Sequence, residues 1–221
     1  ALVVGWFARR GWRVRCEVES GRGGLMRSQR CPKVGLHPSI LGTMQTLVIS
    51  CSLSPTSRSR LLARAAADEL AARGHAADLV DVADLDLPPC DGASAYGAED
   101  VIAMKQRVED SDLLLLAAPV YNYDVNSAAK NLVELTGRSW QEKVVGFMLA
   151  AGGRSSYMSV MGLANSLMLD FRCVIVPRFV YATKNDFEDD RIVDEDVRER
   201  LQHLVAEGVA LATAWGGRHG P

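Results

Sequence analysis

Four leucines and two alanines follow one another in Asp112-Leu-Leu-Leu-Leu-Ala-Ala-Pro119, a run with no polar face that suits a strand covered on both sides, as in a parallel sheet. Proline removes an N–H donor and fixes φ, so the strand is expected to end there, with Val120, Tyr121, Asn122 and Tyr123 in the turn beyond it. From Met44 onward the same grammar repeats: short apolar runs at about 45–51, 76–82, 143–151 and 172–177 alternate with amphipathic stretches at 60–73, 98–109, 127–136, 157–169 and 194–215. Gly74 and Gly137 follow two of these stretches, where a residue of positive φ closes a helix. Strand-then-helix alternation predicts an α/β fold, a doubly wound parallel five-stranded sheet with helices on both faces. Right-handed crossovers with one reversal give the strand order 2-1-3-4-5 and a switch point between strands one and three, the place where open α/β sheets bind ligands.

Residues 1–43 do not share this pattern. They carry seven arginines and one lysine against two glutamates, a net +6, which leaves −8 on the remainder of a chain whose total is −2. Rich in glycine and without a sustained period, they are expected to build no core of their own. A non-native start, a basic targeting or disordered extension, and a nucleic-acid- or partner-binding arm are all compatible with that composition. The expected organisation is therefore a basic leader over 1–43 and one domain over 44–221.

Composition narrows the chemistry. Five cysteines, Cys16, Cys31, Cys51, Cys90 and Cys173, are odd in number, widely spaced and without a CxxC pair, which fits a reducing, cytoplasmic setting and offers no metal site. The four histidines are equally scattered, so no metal ligand set is expected. No apolar run approaches a membrane span, and neither a membrane nor a nucleic-acid partner is expected of the domain.

Three loops at the carboxyl ends of strands carry ligand-type residues: 50–59, 119–124 and 151–156. In the first, Ser50-Cys-Ser52-Leu-Ser-Pro-Thr-Ser57-Arg58-Ser59, hydroxyls and a guanidinium precede a helix N-terminus, whose free amides and dipole favour a phosphate dianion. Neither GxxxxGK[ST] nor GxGxxG is present after the strand, so a mononucleotide phosphate fits better than a triphosphate or dinucleotide. An ordinary capped helix gives the same local pattern.

These loops together resemble those of the NADPH-dependent FMN reductase family of the flavodoxin-like superfamily. Ser50-Cys-Ser52-Leu53 with Ser57 is similar to its S-G-S-L-x-x-x-S phosphate loop, Pro119-Val-Tyr121-Asn122 to its P-E-Y-N turn, Lys130-Asn131 to its L-K-N helix, and Gly152-Gly153-Arg154 to its glycine-rich third loop. The resemblance covers residues 44 to about 181. It implies an NAD(P)H-dependent flavin reductase that passes electrons from NADPH or NADH through bound FMN to a small acceptor such as a flavin or quinone, in a homodimer or homotetramer. An FMN-binding electron carrier or redox-sensing module of little turnover is the alternative. On this resemblance Ser50, Ser52, Ser57, Arg58 and Ser59 hold the phosphate, Pro119, Val120, Tyr121, Asn122 and Tyr123 border the isoalloxazine ring, and Gly152, Gly153 and Arg154 meet its pyrimidine end. No side chain is assigned a catalytic proton, since a flavin site mainly orients rings and tunes potential. The chain departs from the pattern at Cys51 for glycine, at Val120 for an acidic residue, and at Tyr123-Asp124-Val125-Asn126 for a Gly-Ser-Ile-Pro-like segment. These departures bear on nicotinamide preference and the substrate face, where Tyr123 either stacks on the flavin side or lies in a partner interface.

Overall fold

The computed structural model describes residues 44–216; the expected leader lies outside the described residues. Among these, six of the seven strands of the main sheet pair in parallel. β1 (Thr46–Ser50) lies between β2 (Ala77–Asp81) and β3 (Leu113–Tyr121), and β5 (Val144–Ala151) continues the sheet beyond β3. β4 (Asp124–Val125) pairs antiparallel with the end of β3, while β6 (Val174–Ile175) and β7 (Val180–Thr183) both run along β5. A separate hairpin joins β8 (Phe187–Glu188) to β9 (Arg191–Ile192).

Leucine and valine fill both sides of β1 and β3 because helices cover both. On one face α2 (Glu99–Asp110), α3 (Ser127–Thr136) and α4 (Met161–Phe171) bury Leu47, Ile49, Leu114, Leu116, Phe147 and their neighbours. On the other, α1 (Arg58–Ala72) and α5 (Glu195–Gly216) cover Val48, Leu113, Leu115, Val144 and Met148. Alternation of side chains along each strand divides the residues between the two cores. α5 packs so closely on the sheet that a Cβ at Gly146 would stand 2.8 Å from Leu115 Cδ2 and 3.0 Å from Leu204 Cδ1.

Three sequence expectations are corrected. The sheet has seven strands among the described residues, not five, and its order is β2-β1-β3-β5-β6 with β4 and β7 off that path. The strand expected over 172–177 is broken where Pro177 fixes the backbone: Val174 and Val176 still donate to Lys143 O and Val145 O, but Arg178 N–H turns back to Val176 O at 2.8 Å, so β6 stops at Ile175 and the chain rejoins β5 only at Val180. Nor does Pro119 end β3, which runs to Tyr121. The carbonyl of Ala117 accepts the last bond from the β1 side, from Cys51 N–H at 2.8 Å. Pro119, two residues on, faces that same side after β1 has ended, so its missing donor interrupts no β1 bond.

Candidate functional site

Strand register brings the three loops to one edge. Ser50, last in β1, sits level with Ala117 of β3, Pro119 of β3 with Ala150 of β5, and Ala151 with Thr183 of β7. The segments leaving β1, β3 and β5 therefore emerge side by side.

In the first loop, Ser57 is the N-cap of α1, its Oγ accepting from Arg60 N–H at 3.1 Å and lying 2.9 Å from Ser59 Oγ. Ser52 Oγ accepts from Ser54 N–H at 3.2 Å and Ser54 Oγ from Thr56 N–H at 3.3 Å, so two successive hydroxyls fold the loop on itself. Ser50, Ser52 and Ser59 are buried, and Ser50 Oγ has no hydrogen-bond partner among the described residues. Within that same set the backbone amides of Ser57, Arg58 and Ser59 donate to nothing. Three free amides at the positive end of a helix of 15 residues, with Arg58 exposed beside them, form an anion-binding arrangement. Sequence reading passed over Arg60, which pairs with Asp81 at the end of β2 and donates through Nη1 to Pro55 O at 3.1 Å, bracing the loop from behind.

The second loop is a two-residue hairpin. Asn122 and Tyr123 have φ of 52° and 66°, both in the left-handed region that a primed turn between paired strands requires. Asparagine tolerates that region, but tyrosine is strained there. Tyr121 and Tyr123 are 56% and 57% exposed at the tip, while Val120 packs against the core. Asn126, at the base, is buried; its N–H donates to Pro119 O at 3.1 Å and its Nδ2 to Cys51 O at 2.7 Å, joining the second loop to the first.

The third loop is exposed at Gly152, Gly153 and Arg154, and a Cβ on either glycine would meet nothing within 4 Å. Helical turns of the 3-10 type at Arg154–Val160 lie against β4, bringing the third loop to the second. Tyr181 of β7 fixes it: its hydroxyl donates to Gly153 O at 2.5 Å and accepts from Ser156 N–H at 3.2 Å, and its ring meets Tyr157 edge-on at 5.6 Å. Tyr181 was not singled out from sequence, where it is one apolar residue of an unassigned segment.

Two buried thiols, Cys51 in the first loop and Cys173 at the opposite edge of the sheet beside Trp140 O, are held in the neutral form. Burial pushes Cys51 up to about 12, helped by the negative charge of Asp81, and Cys173 likewise up to about 12. Among the described residues no three His, Cys, Asp or Glu side chains are grouped to hold a metal ion, and no helix is long and apolar enough to cross a membrane.

A doubly wound parallel sheet with a phosphate-type helix N-terminus and two further loops at its switch point defines a flavodoxin-like α/β protein. A flavodoxin, WrbA-like protein of Agrobacterium tumefaciens has the same fold, with a TM-score of 0.56 at 15% identity over 78% of this chain and 99% of that one. The chain belongs to the NADPH-dependent FMN reductase family, whose model matches residues 44–188. It is 30% identical over 137 residues to an NAD(P)H-dependent FAD/FMN reductase of Geobacillus thermodenitrificans, covering 60% of this chain and 74% of the relative. It is 27% identical over 126 residues to an NAD(P)H:quinone oxidoreductase of Solanum tuberosum, covering 53% of this chain and 65% of that protein.

Proposed function

We propose that this chain is an NAD(P)H-dependent FMN reductase, an oxidoreductase that carries electrons from a nicotinamide through bound FMN to a small acceptor of the flavin or quinone class. The observation that carries the reading is the row of free amides at Ser57, Arg58 and Ser59, set on the strand edge where two other ligand-type loops converge. These donors fit a phosphomonoester, and the open space above Gly152 and Gly153 fits the edge of a planar ring brought close to backbone.

When bound, FMN supplies reversible two-electron chemistry between a hydride donor and an acceptor. The rest is positioning by this chain. Amides of the α1 N-terminus, the helix dipole and Arg58 hold the phosphate dianion, with Ser50, Ser52, Ser57 and Ser59 supplying hydroxyls around it. Pro119 and Val120 set the direction of the second loop, and Tyr121, Asn122 and Tyr123 flank the ring. The backbone of Gly152 and Gly153 and the charge of Arg154 would border the pyrimidine end, where amides and positive charge would favour negative charge. Tyr123 limits the space on the substrate face.

The protein works as a homodimer or homotetramer in the cytoplasm. Leu169 of α4 is 83% exposed beside a groove of about 560 Å³ between α3 and α4, apolar surface that a partner would cover. Light scattering at micromolar concentration is expected to give a multiple of the monomer mass, and a monomer would end that part of the reading.

The deciding experiment is to purify the protein, record its absorbance with added FMN, and follow NADH and NADPH oxidation with excess FMN or a soluble quinone. Flavin binding with many turnovers supports the reductase. Binding without turnover would leave an electron carrier, and no flavin binding would overturn both.

A further inference from the structure

Asn126 stands directly before α3, where an asparagine ordinarily caps a helix with its side chain. Here it makes no such cap. Its amide turns away from its own helix and donates to Cys51 O at 2.7 Å, across 75 residues of sequence. Its N–H closes the base of the hairpin on Pro119 O at 3.1 Å. The side chain is 6% exposed, yet its Oδ1 has no hydrogen-bond partner among the described residues.

An amide that forgoes a helix cap and buries an unmet acceptor gives the fold little net gain, since one bond made is set against one lone pair left without a donor. What it does accomplish is geometric. Cys51 is the residue from which the first loop departs, and Pro119 is where the second begins to turn. Only Asn126 among the described residues bonds to both.

We propose that Asn126 is a positioning residue that locks the first loop to the hairpin and so fixes the distance between the phosphate end and the ring end of the flavin site. This rests on the FMN site proposed above. Asn126 itself touches no cofactor; it acts through Cys51 on the run from Ser52 to Ser59.

The test uses the full chain, with FMN and riboflavin as probes in fluorescence titrations. Asn126→Leu keeps similar bulk and exchanges one unmet acceptor, Oδ1, for another, Cys51 O, so the melting temperature should move by less than about 2 °C. The Kd for FMN should rise about five- to tenfold, and that for riboflavin, which lacks the phosphate, by less than about twofold. In the Asn126→Leu background, Ser57→Ala should weaken FMN by only about threefold, less than in the parent, because a loop already displaced has less of that contact to lose. An unchanged FMN affinity, equal weakening of both flavins, or strict additivity with Ser57→Ala overturns the proposal. Should the leucine variant fail to fold, Asn126→Ala is titrated in its place, and if that too fails, Asn126 is a structural residue and the proposal falls. The FMN site has its own control: if Ser57→Ala in the parent weakens FMN and riboflavin alike, the phosphate assignment is wrong whatever Asn126 does.

Discussion

Ser57→Ala separates two roles that the structure gives one hydroxyl. As N-cap, Ser57 Oγ accepts from Arg60 N–H, and losing such a cap typically costs about 1 kcal/mol, or a fall in Tm of about 2–4 °C for a domain of this size. As a phosphate ligand, the same hydroxyl has one proton to give. In the free protein that proton is shared with Ser59 Oγ, 2.9 Å away. With phosphate present it turns to the anion while Ser59 donates in return, so no hydroxyl is left unpaired. Loss of a bond to a charged group costs about 1.5–3 kcal/mol. The lower part of that range applies, because the substitution also frees Arg60 N–H as a further amide facing the anion. FMN affinity should therefore fall about 10–30-fold, with riboflavin changing less than about twofold. Paired fluorescence titrations and a thermal melt measure all three quantities. A lower Tm with both flavins weakened equally would mean that Ser57 is a helix cap and nothing more.

Three other outcomes follow from separate observations. Tyr123→Gly should raise the Tm by about 2–4 °C in a calorimetric scan, since glycine removes about 1 kcal/mol of left-handed strain and the lost ring is more than half exposed. The thiol of Cys51 is held near 12 in the fold against an ordinary 9.0, so its contribution to stability is complete below pH 9 and is lost as pH rises toward 12. Urea unfolding at pH 8 and pH 10 should show Cys51→Ala losing about 1.4 kcal/mol less over that interval than the parent, and identical losses would contradict the buried neutral thiol. A chain beginning at Met44 should melt within about 8 °C of the full chain and bind FMN equally, because residues 1–43 show no core periodicity; a larger fall, about 2–4 kcal/mol, would make them structural.

Periodicity carried most of the architecture. The Leu113–Leu116 run, the alanine-rich helix before Gly74 and the apolar stripe from Val197 to Leu211 each depend on a local rule that the fold obeys, and each lies close to its expected place. The errors fall where tertiary context overrides such a rule. Pro119 should stop a strand and does not, because the neighbour whose bond it would have refused has already ended. The strand near 172–177 should be continuous and is split, because Arg178 N–H turns back to Val176 O just after Pro177 instead of continuing the ladder along β5. Helix α4 begins at Met161 rather than 157, the residues before it being spent on 3-10 turns that carry the third loop.

The site divides along the same line. Residue types that act through their own backbone neighbourhood were legible: Ser57 before a helix, Asn122 in a turn, and Gly152-Gly153 after a strand all declare themselves within a few positions. The residues that join one loop to another did not. Asn126 reads locally as a helix cap, and the side chain ignores that role for a carbonyl 75 residues away. Tyr181 lies in a stretch to which the sequence pattern assigns no element, and its hydroxyl serves Gly153 and Ser156 from 28 and 25 residues away. In both cases the partner is a backbone group, which every residue possesses, so no pairing of side-chain types marks the contact in advance. The loops' chemistry is thus written locally while their mutual spacing is not. A planar cofactor bound at one end through its phosphate and at the other through its ring is sensitive to that spacing, which is why the long-range bonds of Asn126 and Tyr181 are the places where substitution should separate binding of the whole cofactor from stability of the fold.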